Sequence, residues 1–468
     1  MLKGIGSTFF ASGYVALTQV ALLAFSARYL SSVELGWVSI GSAILAFSNV
    51  FIDSGIGTYI IYRRNLKRKE LNSLLLCSMF LSMLAYLLIV VLSEPIEIFF
   101  DSSGLSEILH LYALLLLLSP FMSQFQALLV LEQKLTVLGV IDVITKTVGV
   151  LLSVMLLAFD FGVSAIISGL LTSMLLKSIM MQFSLKDEFK AKFSGLDWSV
   201  VPMAFQYCKY QIGGQLLNFA RMYIDTIIIG KMFDMSQLGL YSLAKELVGK
   251  IPALLSPIYG KTIFPVMTRI KEDVSLRSIL YKGVNLLVTY INAVVFSSVA
   301  LFADIIVTVL YGESENIVKY IQILCVFFMV RGCGVINGFF LQSLGKVRRE
   351  FFWNLFSSIF FSAGIYTFSM YGMSTMLWGM VGVQTLFLSL SFIVFHYPNY
   401  PVNILNYFCS TLTLIASGCF VVIVVLFYDH RLNVELSIIS TLLTVISLSI
   451  LVFSLVGGRK SLYSLRDI

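Results

Sequence analysis

Fourteen apolar runs, each long enough to cross a bilayer, follow one another along the chain with only short loops between them. A spanning helix needs about 20 apolar residues. The runs lie near 7–30, 36–61, 73–92, 108–131, 136–159, 162–183, 203–229, 238–265, 279–302, 317–342, 350–371, 376–396, 404–427 and 435–456. Composition agrees: of 468 residues 58% are hydrophobic and 12% charged, where a soluble domain carries roughly 25% charge. This pattern excludes a soluble enzyme, a secreted disulfide scaffold and a disordered chain. The fold class it predicts is all-α, a polytopic membrane protein of about fourteen transmembrane helices. The first run, with no small-x-small cleavage site and thirteen spans behind it, reads as a span rather than a signal peptide.

Loop charge sets the predicted orientation. With the N-terminus inside, nineteen Lys and Arg fall in inner segments and three, Arg28, Lys231 and Arg431, in outer ones. An even number of spans then puts the C-terminus inside as well. The net charge of +7 is therefore scattered over inner loops. It makes no basic face on a soluble domain, and nucleic acid is not an expected partner. The outer stretch Pro95–Leu109 alternates apolar and acidic residues and predicts a short interfacial helix.

A faint internal repeat appears at an offset of 203. Ala27–Gly41 aligns with Gly230–Ala244, so that Leu35 meets Leu238, Gly36 meets Gly239, Ser39 meets Ser242 and Arg28 meets Lys231. A second pair of outer segments, Glu94–Leu109 and Ala303–Val318, follows the third span of each half. Two lobes of six helices result, 1–196 and 197–398, with 399–468 as an added helix pair and inner tail. Lobes related in this way enclose a cavity that can open to either side.

Ten basic residues lie within or at the edges of spans, where each deeply placed charge costs about 2.5–3.5 kcal/mol. Lys177 and others near span ends can snorkel to the interface. Four sit deeper: Lys146, Arg221, Lys250 and Arg331. A charge at that depth marks a functional cavity by default, and these four are the candidate substrate-binding residues. Acids stand one turn away, pairing Asp142 with Lys146, Arg221 with Asp225 and Glu246 with Lys250 by spacing. A hairpin turn near Ser236 would set Asp225 level with Glu246. Asp225, Glu246 and Asp142, with Asp53 near the inner end of span 2, are the candidate ion-coupling carboxylates. A partly cationic cavity suits a pyrophosphate or an acidic sugar, because Arg grips phosphate oxygens in pairs while Lys acts as a point charge. Pro252, Pro257 and Pro265 predict a bent span 8.

Catalytic signatures are missing. The three histidines stand apart, the six cysteines lie singly inside apolar runs, and there is no P-loop, nucleophile elbow or dinucleotide fingerprint. No catalytic residue, cofactor or metal site is expected, and the chain does not read as an enzyme.

The segments RYLSSVELGWVSIGSAI, DSGIGTYIIYRR and NFARMYIDTIIIGKMFDMSQLGLYSLAKELVGKIPALLSPIYGKTIFPVMTRI resemble the polysaccharide transporter (Wzx-type flippase) branch of the multidrug/oligosaccharidyl-lipid/polysaccharide (MOP) exporter superfamily. The resemblance implies a flippase of the bacterial plasma (inner) membrane with both termini cytoplasmic. It would move undecaprenyl-pyrophosphate-linked repeat units of O-antigen, capsule or exopolysaccharide by alternating access. It implies cationic contacts to the pyrophosphate, a groove for the lipid tail along the added helix pair and an ion gradient as power source. Beside the lipid-linked substrate and membrane lipids, a polysaccharide polymerase and chain-length proteins are the partners it suggests. A cation-coupled drug antiporter of the same superfamily and a peptidoglycan-precursor flippase are the alternatives. The antiporter would have twelve spans and an acidic cavity.

Overall fold

The computed structural model describes residues 2–391 apart from 54–55, 64, 188, 190–194, 271–272 and 313, with the side chains of a few further helical residues left out. Spans 13 and 14 of the sequence reading lie outside the described residues. Among the described residues all regular structure is helical: α1 Leu2–Tyr29, α2 Ser32–Asp53, α3 Ile56–Arg63, α4 Arg68–Phe100, α5 Leu105–Leu116, α6 Ser119–Leu131, α7 Leu135–Ala158, α8 Val163–Ser184, α9 Val200–Met232, α10 Met235–Arg269, α11 Val274–Leu301, α12 Ala303–Tyr311, α13 Glu315–Cys333, α14 Val335–Ser343, α15 Val347–Ser369 and α16 Met373–Ser391. Among the described residues nine stretches are long and apolar enough to cross a membrane. The helices α1, α9 and α10, of 28, 33 and 35 residues, also exceed the bilayer's length requirement. The chain divides into two compact units, Met1–Ser242 and Leu243–Ile468.

The helices are apolar on the outside. On α7, Val140, Ile144, Val148, Leu151 and Met155 are exposed at helical spacing, while Leu138, Ile141, Thr145, Gly149, Ser153 and Leu157 are buried. A water-soluble helix has the reverse pattern. An apolar stripe pointing outward, with small and polar residues pointing inward, is what a lipid-facing helix requires.

Lipid is as apolar as leucine, so helices in it associate by close packing instead. The α7–α8 contact shows how. A Cβ on Gly149 would stand 2.6 Å from the Gly169 carbonyl oxygen and 2.8 Å from Ser173 Cβ, and one on Gly169 would strike the Ser153 hydroxyl. The residues 149 and 153, and 169 and 173, form small-residue pairs four apart that let the two backbones meet.

A second close approach joins the start of α2 to the start of α10, inside the first unit. A Cβ on Gly36 would run into the Met235 carbonyl, and one on Gly239 into the Ser32 carbonyl. The Ser242 hydroxyl donates to Ser39 Oγ at 2.7 Å, and the hydroxyls of Ser32 and Ser236 lie 2.6 Å apart. Residues aligned by the 203-residue offset thus touch each other. A residue that meets its own counterpart lies at a local two-fold axis between the two helices.

Three sequence-based boundaries change. The stretch Pro95–Leu109 is not a separate interfacial helix. The chain continues α4 through Pro95 to Phe100, turns at Asp101 with φ 51°, and starts α5 at Leu105. Glu97 anchors that turn by accepting from the Ser106 N–H at 2.7 Å, which also places its carboxylate at the positive end of α5. Spans 4 and 10 are each interrupted, while span 2 is described as α2 and α3 on either side of residues 54–55.

At the loop ends, polar caps replace packing. Asp273 caps α11, accepting from the Ser275 hydroxyl at 2.6 Å and from the N–H groups of Leu276 at 3.0 Å and Ser275 at 2.9 Å, and these bonds, the hydroxyl's first, hold its carboxyl below the usual carboxylate range. Segment 195–199 is tied to α4: Asn72 donates to the Gly195 carbonyl and the Asp197 N–H donates to Ser73 Oγ at 2.8 Å.

Replacing Gly239 with Val should therefore destabilise the folded protein by about 1–3 kcal/mol through overpacking, and Gly213→Val, at an open position, should not; thermal unfolding in detergent measures both. The Asp273→Ala variant should melt below the wild type at neutral pH. Because the folded-state pKa is depressed, that difference should be present above the unfolded pKa of about 4 and vanish as pH falls through the folded one.

Candidate substrate and ion-coupling site

Broken helices come first, because a helix can end inside a membrane only where something satisfies its free backbone groups. Span 4 breaks between Leu116 and Ser119, giving α5 and α6. The Ser82 hydroxyl of α4 donates to the Leu116 carbonyl at 2.7 Å, and the Ser119 hydroxyl donates to Asn49 Oδ1 of α2 at 2.7 Å. Span 10 breaks at Gly334, giving α13 and α14. There the Tyr281 hydroxyl of α11 donates to Asn337 Oδ1 at 2.7 Å, and Asn337 Nδ2 donates to Ser391 Oγ of α16 at 3.3 Å. Spans 4 and 10 are corresponding members of the two predicted halves. At both junctions the backbone stays in the right-handed helical region, so each span remains one crossing segment with a local irregularity.

Arg331 belongs to one of these breaks. It lies in the last turn of α13, half-buried. No acid stands within one turn in the sequence, and the structure supplies two other sources of negative potential. One is the carbonyl end of α13. The other is the face of Phe327, whose centroid is 5.8 Å from the guanidinium carbon.

In the first unit, Lys146 is half-buried on α7, next to Thr147, whose hydroxyl lies 2.9 Å from that of Tyr14 on α1. Asp142, one turn earlier, forms an ion pair at 2.7 Å with Lys177 of α8. Lys177 thus holds a carboxylate on the neighbouring helix and is more than a snorkelling end group.

Arg221 is half-buried on α9, one turn from the buried Asp225. The Tyr241 hydroxyl donates to Asp225 Oδ2 at 2.5 Å, and the Thr226 N–H donates to Oδ1 at 2.8 Å. The α9–α10 turn falls at Phe233–Asp234, earlier than Ser236. That register brings Tyr241, not Glu246, opposite Asp225, which corrects the expected level pairing. Tyr241 escaped the sequence reading because only charged residues were paired across the hairpin; its equal spacing with Asp225 about the true turn is the signal.

In the second unit Glu246 and Lys250 form the expected one-turn pair, at 3.9 Å and partly exposed. Asp53 ends α2, and its side chain lies outside the described residues, as do those of Pro257, Pro265 and Lys261. The helix α10 carries all three span-8 prolines without interruption. Among the described residues no three His, Cys, Asp or Glu side chains gather as metal ligands.

Each unit therefore carries its own charged positions on apolar helices. Cations at such positions are electrostatically suited to an anion. The helices make a multi-pass membrane transporter. Comparison with known proteins gives the family: residues 25–316 match the family described as polysaccharide biosynthesis protein, and the chain belongs to it. Among curated relatives, the amylovoran biosynthesis protein AmsL of Erwinia amylovora is 30% identical over 307 residues, covering 65% of this chain and 79% of that protein. The lipopolysaccharide biosynthesis protein WzxC of Escherichia coli K12 is 23% identical over 355 residues, covering 75% and 71%. In fold, the chain matches the lipid II flippase MurJ in an inward closed conformation, with TM-score 0.71, 12% identity and 98% coverage of both chains. It also matches an inward-facing multidrug resistance MATE transporter of the MOP superfamily, with TM-score 0.61, 15% identity and coverage of 83% and 93%. At these identities the two structures establish the fold alone.

Replacing Tyr241 with Phe removes one donor from a buried carboxylate and should cost about 1–3 kcal/mol of stability, read as a lowered melting temperature. Replacing Asp225 with Asn in the same background should recover part of that loss, because the neutral amide needs less compensation.

Proposed function

We propose that this protein is a flippase for undecaprenyl-pyrophosphate-linked oligosaccharide repeat units, carrying them from the inner to the outer leaflet of the bacterial inner membrane. The observation that carries this reading is the set of cations on otherwise apolar helices, Lys146, Arg221, Lys250 and Arg331, in a chain of the polysaccharide biosynthesis family. A sugar pyrophosphate left in hydrocarbon meets a desolvation barrier of many kcal/mol. Cations lining a path replace its lost water, and no covalent step is needed. Membership in a family with amylovoran and lipopolysaccharide relatives supports a glycan as cargo, and the shared fold with MurJ and MATE proteins supports alternating access.

In this mechanism both termini are cytoplasmic, and the lobes 1–196 and 197–398 open in turn to either side. The head group enters between them while the polyprenyl tail stays in lipid, along 399–468. Arg221 and Arg331 take phosphate oxygens in pairs, and Lys146 and Lys250 supply point charge. With the termini inside, the close α2–α10 contact at Gly36, Gly239, Ser39 and Ser242 lies at the outer end and closes the path there. Asp225 is the foremost coupling residue: its carboxylate is buried, held by a phenol and an N–H, and one turn from Arg221. Asp142, Glu246 and Asp53 are the further candidates. A polysaccharide polymerase would receive the delivered unit, with chain-length proteins beside it.

The test is a deletion strain. Complete repeat units on polyprenyl carrier should accumulate on the inner leaflet while surface glycan disappears, and Arg221→Gln/Lys250→Gln should fail to restore it. Normal surface glycan with altered drug sensitivity would instead establish the antiporter.

A further inference from the structure

The end of the first unit where α3 finishes and α9 begins carries an aromatic cluster that the transport scheme leaves unused. Tyr62 of α3 is 69% exposed and stacks on Tyr207 of α9, with ring centroids 5.0 Å apart and planes within 21°. Tyr207 also contacts the buried Tyr59, at 5.7 Å and 56°. The Tyr59 hydroxyl accepts from Arg63 Nη1 at 2.9 Å, which fixes the guanidinium beside the stack. The nearest acid, Glu70, is 3.9 Å from Arg63 and already accepts from the Lys67 N–H at 2.6 Å, capping α4. Exposed Met203, one turn before Tyr207 and with its Sδ 3.7 Å from Arg63 Nη1, extends the surface along α9.

An exposed aromatic stack with a fixed cation at its side has a definite complement. The face of an aromatic ring is electronegative, and the C–H bonds on one face of a pyranose present the opposite polarity. A phosphate attached to that sugar would meet a guanidinium suited to two of its oxygens. Interfacial tyrosines that anchor a helix among lipid headgroups are the rival use. They act singly, with the hydroxyl turned to water, whereas here two rings stack and a third tyrosine commits its hydroxyl to holding Arg63.

We propose that Tyr62, Tyr207 and Arg63 form a docking platform for the glycosyl-phosphate end of the lipid-linked substrate, at the cytoplasmic mouth, before it reaches the cations deeper in the helices. This rests on the flippase reading above and adds a site to it.

The experiment uses the full chain in inverted membrane vesicles from the glycan-producing strain. The lipid-linked oligosaccharide is labelled with a radioactive sugar from its sugar nucleotide, and p-benzoylphenylalanine is placed at position 62. Irradiation should transfer the labelled glycan to the protein. The same photoprobe at Leu151, exposed on the lipid face of α7, should capture only lipid. Tyr207→Ala should lower capture at 62 on the order of tenfold, and Tyr207→Trp should preserve it. The photoprobe at Met203 provides a second position if the variant at 62 does not accumulate in the membrane. Capture of phospholipid but no glycan at both 62 and 203 would overturn the platform and make the cluster an interfacial anchor. If that happens while a deletion strain still accumulates repeat units inside, the platform alone is wrong. If no repeat units accumulate either, the flippase reading falls with it.

Discussion

A polar group carried into hydrocarbon gives up its water and must recover those bonds from the protein. That constraint accounts for the all-helical backbone, and it also accounts for where the backbone departs from a simple helix. At the span-4 break Ser82 answers the Leu116 carbonyl, and at the span-10 break Tyr281, Asn337 and Ser391 form a short chain of hydrogen bonds. Asp225 is tolerated because Tyr241 and Thr226 reach it, and Asp142 because Lys177 does. Arg331 sits at a helix end and over an aromatic face. These departures from apolar regularity each have a local answer.

The second constraint is that lipid gives no reward for bringing two leucines together. Association has to come from shape, and the glycines show where it does. The pairs Gly149–Gly169 and Gly36–Gly239 let backbones approach to distances that a Cβ would forbid. At the second of these, serine hydroxyls add directed bonds across the contact. A contact made of small residues and a few hydroxyls is close but has little apolar area to separate.

Hydropathy made the spans legible, since a bilayer imposes one length on every crossing segment. Period and charge could not show the breaks. The Leu116–Ser119 break was legible in Pro120, whose missing N–H leaves the Leu116 carbonyl to Ser82, whereas the one at Gly334 carries no proline and lies among side chains from other helices. The repeat was faint as sequence, yet its aligned residues Gly36 and Gly239, and Ser39 and Ser242, turned out to touch. Pairings within one helix could be read by spacing, as Glu246 with Lys250. Pairings between helices depend on register, and a shift of the α9–α10 turn by two or three residues replaced Glu246 with Tyr241 opposite Asp225. Lys177 was legible as a span-end cation and not as the partner of Asp142, because nothing in the sequence sets the rotation of α8 against α7.

The account's central claim is movement of a glycan head group across the bilayer without chemistry, and reconstitution tests it most directly. The purified full-length protein would be placed in liposomes with radiolabelled lipid-linked oligosaccharide from the producing strain, and the fraction of glycan accessible to an external periodate or glycosidase probe would be followed in time. The account predicts that accessibility rises beyond the outer-leaflet fraction with the wild-type protein and stays at that fraction with Arg221→Gln/Lys250→Gln. Equal traces for wild type, variant and empty liposomes, under every imposed ion gradient, would contradict it.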